Sequence, residues 1–219
     1  IKSKNIHDLI PENLNSDILH FVSNLKSNIS DSYAAWLDVM SQSEGTDVYL
    51  KGIVVFEKDV LKEYLDGDKA MGFMLLKGVP DFGACSVPIN SSQEVTCSIN
   101  EISPKIIASF DENGPKFDVD MEGSISVFAL DKKFDAYFDE SIKSLIQKNF
   151  SEKLTKLCSD VIDKCISMHI DVFDWGRVLK NSCPKEFKNV EPQWKEQIGK
   201  SIYNIISDIN VTITGKEIL

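Results

Sequence analysis

The chain has 219 residues, 42% hydrophobic and 26% charged, with a formal net charge of −10 and a sequence pI near 4.8. That length and balance fit one large globular domain or two small ones. The acidity argues against nucleic acid and against an anionic membrane surface, because both call for clustered Lys and Arg. No apolar run approaches ~18 residues, the least that spans a bilayer as a helix, and no leader pattern is visible. The sequence opens on Ile1, so the missing leader assigns no compartment.

Residues 1–45 read as helical. Asn15 or Ser16 is placed to cap a helix carrying Ile18, Leu19, Val22, Leu25 and Ile29. Asp31 or Ser32 is placed to cap a second, with Tyr33, Trp36, Leu37 and Met40. The polar SQSEGTD then ends it, with Gly45 as the stop. This piece has no core of its own, which suggests a linker or the tail of a preceding domain.

Residues 46–92 read as a small strand–helix–strand domain. The segment DVYLKGIVVFE (47–57) is a strand with a continuous apolar centre. Val60, Leu61, Tyr64 and Leu65 continue it as a short return. DGD at 66–68 offers an N-cap for a short helix ending at Gly78, and 82–89 returns as a strand.

Residues 93–219 read as an antiparallel sheet with a long helix. Val95, Cys97 and Ile99 alternate with polar residues, and 105–111 is a second strand. Asn113-Gly114 signals a hairpin, since both residues tolerate positive φ. In the next strand Phe117, Val119, Met121, Ile125 and Val127 point one way. Asp118, Asp120, Glu122, Ser124 and Ser126 point the other, as expected of a sheet with one wet face.

The run 139–180 forms the spine. Apolar residues recur every three or four positions at Ile142, Ile146, Phe150, Leu154, Cys158, Val161, Cys165, Met168 and Val172. Glu152 with Lys156, and Asp160 with Lys164, are spaced as i,i+4 pairs. Without Gly or Pro before Gly176, a helix of about 30 residues would span roughly 45 Å. Two short helical turns follow, at 184–190 and 192–198, each opened near a proline. Ile205, Ile209, Val211 and Ile213 then alternate in a closing strand of the same sheet, which makes the long helix a crossover. The expected fold class is α+β: an antiparallel β-sheet with a long α-helix packed across it, a smaller strand–helix–strand unit and N-terminal helices.

Chemistry is hard to place. Cys165 and His169 are i,i+4 on the long helix with Asp171 beyond, but further ligands for a metal are not evident. The same two residues would be the nucleophile and base of a thiol enzyme, yet Cys165 lies in the apolar stripe, where a thiol is inert. The pairs Asp66/Asp68, Asp111/Glu112 and Asp118/Asp120 suit caps, turns and a wet strand face better than a calcium loop. Gly67, Gly72, Gly78 and Gly83 are too spread for a phosphate cradle, and no GxSxG elbow occurs. Trp175 and Trp194 read as core aromatics or as anchors for a partner. The five cysteines, Cys85, Cys97, Cys158, Cys165 and Cys183, form no CxxC and read as buried free thiols. Cys158 and Cys165 are about 10 Å apart along one helix, too far to bridge. No catalytic, cofactor-binding or metal-binding residue is assigned, and no cofactor is expected.

Two stretches resemble the Ger(x)C family, the C subunits of bacterial spore germinant receptors. The first is 51–78, KGIVVFEKDVLKEYLDGDKAMGFMLLKG. It is similar to that family's strand, turn and short helix ending in Gly. The second is 170–198, IDVFDWGRVLKNSCPKEFKNVEPQWKEQI. Asp171, Gly176, Pro184 and Trp194 stand at the places of the family's Asp, aromatic-Gly, Pro and Trp, while Phe187 stands where a Trp is expected. The closing strand ending at Thr214-Gly215 also fits, and the likeness runs over about 47–215. The resemblance implies a non-catalytic lipoprotein, held at the spore inner membrane by a lipidated N-terminal Cys. Its implied partners are two integral-membrane subunits, A and B, and its role is nutrient-triggered germination signalling. The other readings the residues leave are a small-molecule module binding a nutrient germinant in a cleft between the 47–92 unit and the sheet, and an enzyme using Cys165 and His169.

Overall fold

A computed structural model describes residues 10–11, 14, 17–42, 45–79, 84–91, 93–127 and 139–213. Two sheets share one contiguous apolar core. The first sheet has the order β1-β2-β3, formed by Tyr33–Gln42, Gly45–Glu57 and Val60–Asp66, all antiparallel. The second has the order β4-β5-β6-β7, formed by Ala84–Pro88, Glu94–Asp111, Gly114–Val127 and Ile202–Ile213. Its first three strands are antiparallel neighbours, and β7 runs parallel to β6. Helix α1 is Ile18–Leu25, α2 is Gly67–Leu76 and α3 is Glu140–Ser167. Three short helices follow: α4 at Trp175–Ser182, α5 at Pro184–Val190 and, after a 3₁₀ turn, α6 at Trp194–Ile198.

The α+β class and the helix packed across a sheet are as the periodicity indicates. Strand, helix and strand follow in order from β2 to β4, and β4 hydrogen-bonds to β5, so the unit's last strand belongs to the larger sheet. The expectation of a helix carrying Tyr33, Trp36, Leu37 and Met40 is corrected: these residues lie in β1, paired with β2. Tyr33, Trp36 and Val39 favour a pleated surface, and the pairing with β2 outweighs local helical spacing. Asp31 and Ser32 cap nothing; the Ser32 hydroxyl donates to Phe21 O at 2.9 Å. The cap of α1 is Asp17, whose carboxylate accepts from Leu19 N at 2.8 Å and His20 N at 2.9 Å. The expected caps Asn15 and Ser16 lie outside the described residues, as do His7, Phe82, Gly83, Thr214 and Gly215.

The two expected strands within 93–111 are one strand of 18 residues. A bulge at Asn100 shifts the phase by one, so Val95, Cys97 and Ile99 share the buried face with Ile102 and Ala108. Pro104 lies beyond the stretch that β4 covers, where one edge of β5 has no strand beside it among the described residues and a missing N–H costs nothing. The Asn113-Gly114 hairpin forms as expected, with Asp111 opposite Gly114.

Helix α3 starts where the expected run begins, and Asp139 caps it by accepting from Ser141 N and Ile142 N, both at 3.0 Å. It ends earlier than expected. Ile170 N donates to Cys165 O at 3.0 Å and His169 N to Ile166 O at 2.9 Å, with His169 at φ 59°. That is a Schellman close with histidine in the left-handed position that glycine usually fills. The side chains of Ile146, Phe150, Leu154, Cys158, Val161 and Cys165 are buried as the stripe predicts. Leu157 and Ile162 are buried too, because α3 also packs on α2. The charge pairs differ from expectation. Lys148 pairs with Glu152 at 3.8 Å and Lys156 with Asp160 at 2.8 Å, while Lys164 leaves the helix surface to reach Glu63 of β3 at 2.6 Å.

Candidate functional site

Segments far apart in sequence converge just past the end of α3. Asp171 is fully buried in the turn between α3 and α4. Its Oδ1 accepts from Trp175 N at 2.9 Å, and its Oδ2 from Gly176 N at 2.7 Å and Trp194 Nε1 at 3.1 Å. Its backbone pairs with Asp31: Asp31 N donates to Asp171 O at 2.7 Å, and Asp171 N donates to Asp31 Oδ2 at 2.8 Å. The Asp31 carboxylate also pairs with Lys195. Burial pushes the Asp171 carboxyl up to about 6, against the downward pull of its three donors.

Asp174, at φ 61°, receives three groups. The Ser30 hydroxyl donates at 2.9 Å, Arg177 Nη1 lies at 3.3 Å and Lys77 Nζ at 3.8 Å. Lys77 Nζ also lies 4.6 Å from the Tyr33 ring centroid, with the rings of Phe73 and Phe173 at 5.8 and 6.0 Å. Burial lowers the pKa of this lysine. Arg177 Nη2 donates to the buried Asn24 at 2.6 Å. Residues 24–33, the end of α2, the turn after α3 and α6 are thus pinned to one another. A Cβ on Gly176 would lie 2.6 Å from Ile29 O and 2.8 Å from Trp194 Nε1, so only glycine lets these segments approach. The arrangement locks segments together; its polar groups are engaged with one another.

The residues weighed for chemistry separate. Cys165 is buried on α3, its thiol pushed up to about 12 by desolvation. His169 has left the helix, is exposed, and lies against Gly199, where a Cβ would meet its Nε2 at 2.7 Å. The expected i,i+4 face for this pair is therefore corrected: the Schellman turn rotates His169 away. Asp111 serves its turn, accepting from Asn113 N at 2.7 Å and Gly114 N at 3.2 Å. Asp66 is the N-cap residue of α2 without a side-chain cap bond. Trp175 stacks on Phe117 at 4.2 Å, and Trp194 packs against Phe187 at 5.4 Å; both tryptophans are buried. Among the described residues no group of three or more His, Cys, Asp or Glu is placed to hold a metal ion. No helix there is long and apolar enough to cross a membrane.

What remains open is surface. The helices that touch the larger sheet do so on the face carrying Phe117 and Tyr203: Trp175 stacks on the first, and the hydroxyl of the second donates to Asp163 Oδ1 of α3 at 2.5 Å. The opposite face carries Glu101, Asp118, Asp120, Glu122 and Asp208 against Lys105 and Lys116. At one end of it Ser126 donates to Asn100 Oδ1 at 2.9 Å and lies 3.2 Å from the Thr212 hydroxyl, making a small polar ladder. On the small sheet, Trp36 and Tyr64 pack at 4.8 Å with Lys51 over the indole at 4.5 Å. A cleft of about 400 Å³ lies between α2, β4 and α3, lined by Asp68, Pro88, Asn149, Glu152, Lys153 and Asp160. The sequence pattern signals the wet sheet face; nothing in it signals the aromatic pair or the Asp31–Asp171 link.

A family model described as "Spore germination B3/ GerAC like, C-terminal" matches residues 51–216. The chain belongs to that family. Its fold is that of a solved structure, the crystal structure of the GerBC protein, with a TM-score of 0.73 at 15% identity. The match covers 94% of this chain and 66% of that one, so the chain spans just under two thirds of the GerBC chain. No curated protein matches it. The family-like Asp171, Gly176 and Trp194 are the three that meet in the buried lock. Pro184 opens α5, and Phe187, the departure from the expected Trp, fills the space beside Trp194.

Proposed function

We propose that this chain is the C subunit of a spore nutrient germinant receptor, working by protein–protein contact beside the spore inner membrane and carrying out no bond chemistry. Family membership over 51–216 supports the receptor assignment. The observation that carries the contact mechanism is the acid-rich face of the larger sheet, which also exposes Ile107, Ile202 and Ile206 and against which no helix packs among the described residues. Such a face, with five carboxylates near two lysines, suits a partner surface rich in Lys and Arg. The proposed partners are the integral-membrane A and B subunits, and the proposed attachment is an N-terminal lipid anchor, both as in the Ger(x)C family. Spores lacking the gene are expected to lose germination to at least one nutrient. Unchanged germination to every nutrient tested contradicts the proposal.

A second reading, direct binding of a nutrient germinant, has one observation in its favour. The cleft beside α2 carries Lys153 as well as Asp68 and Glu152, which suits a zwitterion such as an amino acid. Calorimetry of the purified chain against amino acids and sugars decides it, and no heat with any of them removes it.

A further inference from the structure

The ladder between β4 and β5 places Cys85 directly opposite Cys97. Both side chains are buried on the core face, and both are free thiols in this structure. Ile89 N donates to Gln93 O at 2.9 Å at the hairpin end of the same ladder. Alternation along an antiparallel pair then makes Val87/Val95 and Cys85/Cys97 the hydrogen-bonded pairs, with Cα atoms about 5.5 Å apart. That separation falls within the range of about 4.4–6.8 Å seen across disulfides. The two side chains leave the same face of the sheet, with Cβ atoms about 5.5 Å apart at a hydrogen-bonded pair. A disulfide holds them at about 3.5–4.5 Å, so the short edge strand β4 draws in by about 1 Å to close the bond. The other three cysteines have no such partner: Cys158 and Cys165 lie two turns apart on α3, and Cys183 lies at the end of α4, its thiol 4.0 Å from Ala108 O.

We propose that Cys85 and Cys97 form a cross-strand disulfide when the chain folds in the presence of a low-molecular-weight disulfide. The inference rests on the strand register and is independent of the receptor assignment. Cys85 is the attacking thiol. It lies on the edge strand, and Lys153 of α3 opposes the desolvation that raises its pKa. Cys97 is fully enclosed and pushed up to about 12. The Cys85 thiolate attacks one sulfur of the small disulfide, forming a mixed disulfide and expelling one small thiol. The Cys97 thiolate then attacks the Cys85 sulfur, forming the Cys85–Cys97 bond and expelling the second small thiol. Two protein protons and two electrons thus end on the two released thiols.

The bridge has a structural consequence. Strand β4 is five residues long, β5 is its only strand partner among the described residues, and two side chains of α3 hold its carbonyls: Lys153 at Ser86 O, 2.9 Å, and Asn149 at Pro88 O, 2.6 Å. A covalent tie converts this short edge strand into a fixed wall of the cleft beside α3.

The test uses the wild-type chain, refolded from denaturant with oxidised and reduced glutathione, acid-quenched, then alkylated in denaturant and cut with trypsin. Both cysteines fall in one tryptic peptide, 78–105. It is expected to escape alkylation and to be lighter by two hydrogen atoms, while Cys158, Cys165 and Cys183 are alkylated in full. The oxidised chain is expected to melt several degrees higher, a gain that dithiothreitol reverses. Alkylation of Cys85 and Cys97 to the same extent as Cys158 and Cys165 overturns the proposal, as does a glutathione adduct that persists on Cys85.

Discussion

Asp171 is a buried carboxylate that faces three N–H donors and, among the described residues, no cation within 4 Å, and its pH response reports how the lock is balanced. Burial raises its pKa from 3.8 to about 6. A shift of about 2 units corresponds to roughly 3 kcal/mol. The sign follows from linkage. The folded-state value is the higher one, so this group's contribution to stability is complete below its unfolded value and is lost as pH rises through about 6. Asp171→Asn does not titrate, so the wild type's advantage over this variant is expected to shrink with rising pH. Between about pH 4.5 and about pH 7.5 the change should be about 2 kcal/mol. Urea unfolding of both proteins across that range, followed by tryptophan fluorescence, measures it directly. A constant difference across this range would mean that the three donors outweigh burial and hold the carboxylate ionised throughout, because a carboxyl with a depressed pKa changes stability only below about pH 4.5, and that result would overturn the assigned balance.

Three further outcomes are expected. Gly176→Ala drives a methyl against Ile29 O and the Trp194 indole, and should lower Tm by about 2–10 °C in calorimetry. Gly72→Ala is worse: its Cβ would lie 2.1 Å from Leu157 O, so α2 must move off α3, at a cost of about 2–4 kcal/mol in chemical unfolding. In the folded chain Cys165, fully buried with its thiol at about 12, should react with a disulfide reagent at least ~100-fold more slowly than the half-buried Cys183. Equal rates at the two thiols would return Cys165 and His169 to consideration as chemistry.

The sequence makes the larger sheet and its crossover helix legible because both are strongly periodic. Phe117 to Val127 alternate, and Ile146 to Cys165 repeat every three or four residues. Its silences have physical causes. The segment 33–42 has apolar residues spaced for either a helix or a strand, and only the neighbour β2 decides between them. The end of α3 carries no Gly or Pro signal, because His169 accepts positive φ with its ring against Gly199. The lock at Asp171 depends on Asp31 and Asn24, some 140 residues away in the chain, a separation that no local pattern reports. The same holds for Cys85 and Cys97. Their spacing says nothing, and their register says that they face each other.

On the proposed reading, the open acidic face of the larger sheet is a contact surface of a germinant-receptor subunit. The most direct test is a charge reversal of that face, Asp118→Lys with Asp120→Lys and Glu122→Lys, introduced at the native locus. All three side chains project from the face opposite the helices, so the variant should fold; losing the Lys116–Asp118 pair and placing a lysine opposite Lys105 should lower its Tm by only about 1–5 °C. Spores carrying it are expected to hold a normal level of the chain and yet to lose the nutrient response, with the receptor's membrane subunits no longer co-purifying. Wild-type germination and intact co-purification with a folded variant would contradict the claim.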